Sequence, residues 1–234
     1  MSQTTHIAIK EFKDYFISPI AYIVISLFLV VTGWFFFSTF FIYDMADMRN
    51  FFSMLPIIFS FVIPAVTMKL FSEEMNVGSY EILLTLPVSF SQIAVGKFLA
   101  ALGFTACMLL PTLSYPLFIS FVGQLDPGPV VGGYVGALLL GGAYCSLGIF
   151  ASSVTRNQIV AFILGAATCF TLTILDKMLF FVPASFTGVM GYLGADSHFQ
   201  GIAKGIMDSR DIIYFLSVMV LGLFGTYLVM QEKN

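Results

Sequence analysis

Apolar residues run along this chain in long blocks, and polar positions gather between the blocks instead of alternating within them. A half-buried strand would alternate with a period of two, and a surface helix would carry a one-sided stripe. Blocks that are apolar on every side, each about 20 residues long, are the mark of membrane-spanning helices. Six blocks qualify: residues 19–42, 53–70, 92–122, 130–154, 158–182 and 212–230. The expected fold is all-α, a single membrane domain over 1–234 with six spans. Pro56 and Pro64 predict bends in the second span. Pro111 or Pro116 predicts a tilt or a lost turn in the third.

Three segments fall outside the spans. Within 1–18, the apolar residues Ala8, Ile9, Phe12, Tyr15 and Phe16 alternate with Lys10, Glu11, Lys13 and Asp14, which predicts a short amphipathic helix suited to a membrane surface. Residues 72–91 form a polar loop. Residues 183–209 form a second loop, in which Phe199, Ile202, Ala203, Ile206 and Met207 recur at helical spacing, so an interfacial or re-entrant helix is expected over 197–207. Helix starts are marked by Ser18-Pro19, by Ser89 with Gln92, and by Thr155 with Gln158, the last two at capping-box spacing.

Composition agrees with the pattern. The chain is 59% hydrophobic and 10% charged, with mean hydropathy +0.96. A soluble domain is about 25% charged, so lipid must cover much of this surface. The net charge of −3 argues against nucleic acid as a partner. Lys10 and Lys13 precede an apolar run as in a signal peptide. That run is too long for one and no small-residue cleavage pattern follows, so it reads as a retained span. With the N-terminus in the cytoplasm, Lys10, Lys13, Lys69, Lys97, Arg156 and Lys233 lie inside, and Arg49, Lys177, Lys204 and Arg210 lie outside. This bias places both termini in the cytoplasm. Cys107, Cys145 and Cys169 sit in apolar stretches as buried free thiols.

Catalytic signatures are missing. There is no phosphate-binding G-x-x-x-x-G-K-[ST] loop and no H-E-x-x-H motif. His6 and His198 are predicted on opposite sides of the membrane. No ionisable residue falls at the centre of a span, which argues against a proton-driven carrier. Glu73-Glu74, an adjacent carboxylate pair at the inner end of span two, reads either as a solvated helix end or, with Lys69, as a gate. The spacing of Gly128, Gly132 and Gly136, of Ala137 with Gly141, and of Gly142 with Ser146 allows close helix approach, within the chain or between subunits. Trp34, Phe35, Phe36, Phe37, Phe40, Phe41, Phe51, Phe52, Phe59 and Phe61 read as an aromatic belt at the outer interface or as a wall facing an amphipathic substrate.

The loop after span two carries the most information. Asn76-Val77-Gly78 signals a turn, Ser79 can cap a short helix, and Pro87 must end it. Tyr80, Leu83 and Leu84 share a face of that helix, and leucines on a cytoplasmic loop call for a cover, either membrane or partner protein. Lys69, Glu73, Glu74, Gly78, Ser79, Glu81, Leu83, Leu86, Pro87 and Val88 follow the order K-x-x-x-E-E-x-x-x-G-S-x-E-x-L-x-x-L-P-V. This resembles the intracellular loop of ABC-transporter permeases of the type-2 export family. Gln92 to Lys97, Lys10-Glu11-Phe12, Ser18-Pro19 and the six-span layout are similar too. The nearest flavour is the short permeases of the gliding-motility group, with those of nitrous-oxide-reductase maturation close by.

The resemblance implies a division of labour. ATP and magnesium would be bound by a separate ABC ATPase subunit, with no cofactor in this chain. Gly78 to Pro87 would form a coupling helix docked on that ATPase through Gly78, Ser79, Tyr80, Glu81, Leu83, Leu84, Leu86 and Pro87. The N-terminal helix would be a connecting helix that also touches the ATPase. A second permease subunit, identical or different, would complete the path in a bacterial inner membrane. The alternatives are a non-transporting relay or scaffold driven by the same ATPase, and an intramembrane enzyme, for which no residues are visible. The identity of the substrate is not legible.

Overall fold

The structure is a computed structural model that describes residues 3–43, 47–78, 88–123, 125–178 and 184–233. Among the described residues all regular structure is helical. Helix α1 spans Gln3–Ile17, α2 Pro19–Tyr43, α3 Arg49–Thr67, α4 Lys69–Val77 and α5 Phe90–Leu109. A 3-10 turn, Leu110–Leu113, leads into α6, Ser114–Val122. Then come α7 Pro127–Val154, α8 Gln158–Ile174, α9 Ala184–Leu193, α10 Ala195–Ala203 and α11 Ser209–Glu232.

Five stretches are long and apolar enough to cross a membrane: α2, α3 with α4, α5 with α6, α7, and α11. The predicted fifth span is shorter than expected. Helix α8 has 17 residues, at the lower limit for a span. It stops before Asp176, whose carboxylate is engaged elsewhere. Residues 179–182 of that prediction lie outside the described residues.

Prolines act by removing amide donors. Pro56 and Pro64 lie inside α3 without ending it. The break comes four residues after Pro64, at Met68, whose amide bonds the Pro64 carbonyl (2.9 Å). Ser152 of α7 closes this break. Its hydroxyl donates to the Met68 carbonyl (2.6 Å) and accepts from the amides of Phe71 and Ser72 (3.1 Å each). Pro111 sits in the 3-10 turn, and Pro116 falls in the first turn of α6, where its missing amide is tolerated.

Helix α7 is the hub. Of its most apolar window 72% is buried, against 22% for α2 and for α11, which line the outside. It packs against α3, α5, α8, α10 and α11. Its small residues serve packing within the chain. Gly136 faces Phe199 and Ile202 of α10, Gly141 faces Thr105 of α5 and Phe59 of α3, and Gly142 faces Met219 of α11. Each would bring a methyl group into contact if it carried one.

Four of the aromatics are internal. Phe36, Phe51, Phe52 and Phe59 are buried. Phe36 stacks on Tyr115 of α6 at 4.8 Å, and Phe52 meets Tyr134 of α7 edge-on at 5.4 Å. Neither an interfacial belt nor a substrate wall describes these four, because they fill the space between α2, α3, α6 and α7. Trp34, Phe35, Phe37 and Phe61 are exposed. The side chains of Phe40 and Phe41 lie outside the described ones.

Helix caps fix the ends. The Ser89–Gln92 capping box is formed in both directions. The start of α8 is capped by Asn157 and not by Thr155, since the Asn157 carboxamide oxygen accepts from Ile159 (2.9 Å) and Val160. Lys233 donates to the carbonyls of Ser153 (2.7 Å) and Val154 (3.1 Å), so the end of α11 caps the end of α7. Helix α1, the end of α4, the start of α5 and residue 233 therefore share one end of the bundle, here the α1 end.

Candidate functional site

At the α1 end, three charged side chains from three helices meet out of water. Helix α1 lies along α5, where Gly96 leaves room for Ile7 and Gly103 for Phe12. This close seat turns Glu11 inward, beside buried Tyr15. Lys97, one residue past Gly96, is fully buried. Its ammonium reaches Glu11 (3.1 Å), Glu74 (2.7 Å) and the Leu70 carbonyl (2.7 Å). An ammonium has three donors and all three are used. Burial pushes the Glu11 carboxyl up, but Lys97 and then Lys10 more than offset this, and its pKa lies below the ordinary value. The site thus ties α1, α4 and α5 into one unit.

Beside this triad a cleft of about 460 Å³ opens between α1, α3, α4 and the start of α8. Lys10, Asp14, Ser18, Lys69, Glu73 and Gln158 are among its lining residues. Lys69 lies 5.0 Å over the Tyr15 ring, a cation–π distance. Glu73 is exposed.

The predicted site residues divide accordingly. Lys69, Glu73 and Glu74 sit together on α4, but the pair Glu73-Glu74 is split. Glu73 is solvated, whereas Glu74 is bound to Lys97. Gly78 ends α4 with φ +80°, the left-handed conformation glycine adopts without strain. Ser79, Tyr80, Glu81, Leu83, Leu84, Leu86 and Pro87 lie outside the described residues. Glu11, read as part of the polar face of α1, is on its buried face, because α1 packs against protein on that side. Lys97, counted among the basic residues of the inner side, is buried and paired.

The family profile for ABC-2 family transporter protein matches residues 5–191 of this chain. The chain belongs to the ABC-2 transporter family. A comparison with curated proteins gives no significant match. As an ABC-2 protein it is a multi-pass membrane component of an ABC transporter, a class that in general works with an ABC ATPase.

The opposite end of this ABC-2 protein carries a second polar cluster. Helix α10 has no cap of its own at Gly194. Asp176, just beyond α8, supplies one by accepting from the Ser197 amide (2.6 Å). Lys177 pairs with Asp196 at 3.2 Å. His198 lies between the Asp211 carboxylate (2.7 Å) and the Tyr192 carbonyl (2.9 Å), and its ring stacks on Tyr214 at 4.2 Å. His6, on α1, is at the other end.

The expected helix over 197–207 is α10, ending at Ala203. Its apolar side, Phe199, Ile202 and Ala203, is buried against α7 and α3. Ile206 and Met207 follow the helix and are exposed.

The sequence reading missed the triad and this cluster. A signal existed for each. Lys97 interrupts an apolar run, which is costly in a spanning helix unless a carboxylate meets it. Asp176, with Lys177, likewise interrupts an apolar block near its end.

Proposed function

We propose that this chain is the permease subunit of an ABC-type exporter in a bacterial inner membrane, moving its substrate outward with ATP hydrolysed by a separate ATPase subunit. The observation that carries the reading is the family match over residues 5–191. ATP and magnesium belong to the ATPase. Two permease subunits pair around the path, each with six spans, α8 being the short fifth. The α1 end, with both termini, faces the cytoplasm. The short permeases of gliding motility and of nitrous-oxide-reductase maturation are the subgroups we favour.

The segment from Gly78 to Pro87 is the coupling helix. Two features support this. The chain leaves α4 through a left-handed glycine and re-enters the bundle through a full capping box, so the excursion is short and anchored at both sides. The buried triad lies between those anchors and binds α1, α4 and α5 together. A push on the loop therefore moves three helices as one body.

The test is capture of the ATPase. Leu83→Asp with Leu84→Asp alters no spanning helix. A truncated buried leucine costs about 2–5 kcal/mol, and tenfold in binding corresponds to about 1.4 kcal/mol. Co-purification of the ATPase should fall by at least roughly thirtyfold, with loss of ATP-dependent function. Retention of the ATPase at parental stoichiometry and activity would remove the coupling role.

A further inference from the structure

His198, buried on α10 at the end opposite α1, has no task in coupling. Both of its ring nitrogens point at oxygens that accept. Nδ1 is 2.7 Å from the Asp211 carboxylate of α11, and Nε2 is 2.9 Å from the Tyr192 carbonyl of α9. A carbonyl has no hydrogen to give, and neither has an ionised carboxylate. A neutral imidazole carries one N–H and one lone pair. It can satisfy one of these oxygens and must oppose the other. An imidazolium has two N–H donors and satisfies both.

The surroundings suit a positive ring. Tyr192 is the last residue but one of α9, where carbonyls lack helical partners and the helix dipole favours a cation. The face of Tyr214 stacks on the ring at 4.2 Å, within cation–π range. The Tyr214 hydroxyl donates to the next carbonyl, that of Leu193 (2.6 Å). The second oxygen of Asp211 lies 3.0 Å from where a Cβ on Gly201 would stand, so glycine lets the carboxylate close up to α10. Of the other charges at this end, Asp176 accepts from the Ser197 amide and Asp196 pairs with Lys177. Lys204, Asp208 and Arg210 are exposed. Helices α7 and α9 carry no charged residue, and Arg49, at the start of α3, pairs with Asp47. Asp211 is thus the counter-ion of His198.

We propose that His198 is a proton-operated lock on the end of α9. With two ring protons it ties α9 to α11 through Tyr192 and Asp211. When one proton leaves to solvent, the remaining N–H stays with the carboxylate, the stronger acceptor, and the Tyr192 carbonyl loses its donor. Helices α10 and α11 stay joined, while α9 is left with the bond from Tyr214 to Leu193. In the transporter reading this is the outer end, so the lock answers to the pH outside the cell. The inference rests on that reading for the side of the membrane alone. Its test is made on the purified chain, so a failure of ATPase capture would leave it standing.

The chain has two histidines, so isotope labelling of histidine in His6→Gln, a change at an exposed position of α1, leaves His198 as the sole signal. The experiment follows its ring nitrogens by NMR and amide hydrogen exchange over 184–193. Both are recorded from about pH 5 to about pH 9, a span that brackets the charge change of an imidazole. Exchange is corrected for its intrinsic dependence on pH. The expected result is two protonated ring nitrogens at the acid end. As pH increases, one proton should be lost together with a rise of about tenfold in exchange at the end of α9, the loss of one charge-assisted hydrogen bond. Asp211→Asn should move both changes to lower pH. His198→Gln should make exchange there independent of pH. A constant number of ring protons across the range, exchange that stays level while the ring titrates, or a pH dependence retained in His198→Gln would overturn the proposal. The ring signal is read with His198 in place, so it decides even where His198→Gln fails to fold.

Discussion

Replacing Lys97 by methionine tests the central claim about the α1 end. The substitution keeps the length of the side chain and removes its charge. In the parent, the ammonium is fully buried and engages Glu11, Glu74 and the Leu70 carbonyl at 2.7–3.1 Å. Without it, two carboxylates are left facing each other with little water. Breaking a buried ion pair by removing one partner costs about 3–5 kcal/mol, on the order of 10 °C in melting temperature for a chain of this size. The loss comes from stranded charge and not from lost volume, so neutralising the partners should restore it. Lys97→Met combined with Glu11→Gln and Glu74→Gln should recover most of the stability. Thermal unfolding of the purified protein, completed as a mutant cycle, reads both numbers. If Lys97→Met melts within about 1 °C of the parent, or if the triple variant is no better than the single, the triad does not hold α1, α4 and α5 together.

Three further outcomes follow from the structure. The folded pKa of Glu11 lies below its ordinary value of 4.5, so its contribution is complete above that value and disappears as pH falls through the folded pKa. The mobility of a nitroxide spin label on His6→Cys, at an exposed position of α1, should therefore rise on acidification below about 4.5, and should lose that dependence in Glu11→Gln. Ser152→Ala leaves the Met68 carbonyl and the Phe71 and Ser72 amides without their partner, a cost of about 1–3 kcal/mol. Hydrogen exchange at those two amides should rise. Gly132→Ala would place a methyl group on the Ile202 backbone carbonyl, which cannot rotate away, and should destabilise by about 1–3 kcal/mol. Gly188→Ala, with nothing within 4 Å, should be neutral in the same melt.

The element plan was legible in the sequence because bilayer thickness imposes a length on every span. Five of the six apolar blocks appear as long helices near their expected bounds, and the Ser89–Gln92 cap is where its spacing put it. The short α8 was not legible, since Asp176 acts on the amide of Ser197, more than twenty residues away. Nor was the inward turn of Glu11, because the periodicity of α1 marks two faces without saying which one meets α5. Gly96 decides that, through space. The aromatics misled for a similar reason. Composition marks a phenylalanine as apolar, but lipid and protein are both apolar neighbours, and the pairing of Phe36 with Tyr115 is a tertiary fact.

The central place of α7 bears on how the chain enters the membrane. Of the five long stretches it has the lowest hydropathy, 1.7 against 2.0–2.4, because glycines replace larger apolar side chains along its length. Those glycines suit it to protein neighbours and make it a poor guest for lipid. Its most extensive neighbour, α11, is separated from it along the chain by α8, α9 and α10. For the interval between the two, α7 sits in the bilayer with one side uncovered. That interval is when an insertase or chaperone has a surface to hold. That side is covered only when α11 arrives, and its Lys233 also closes the carbonyl end of α7.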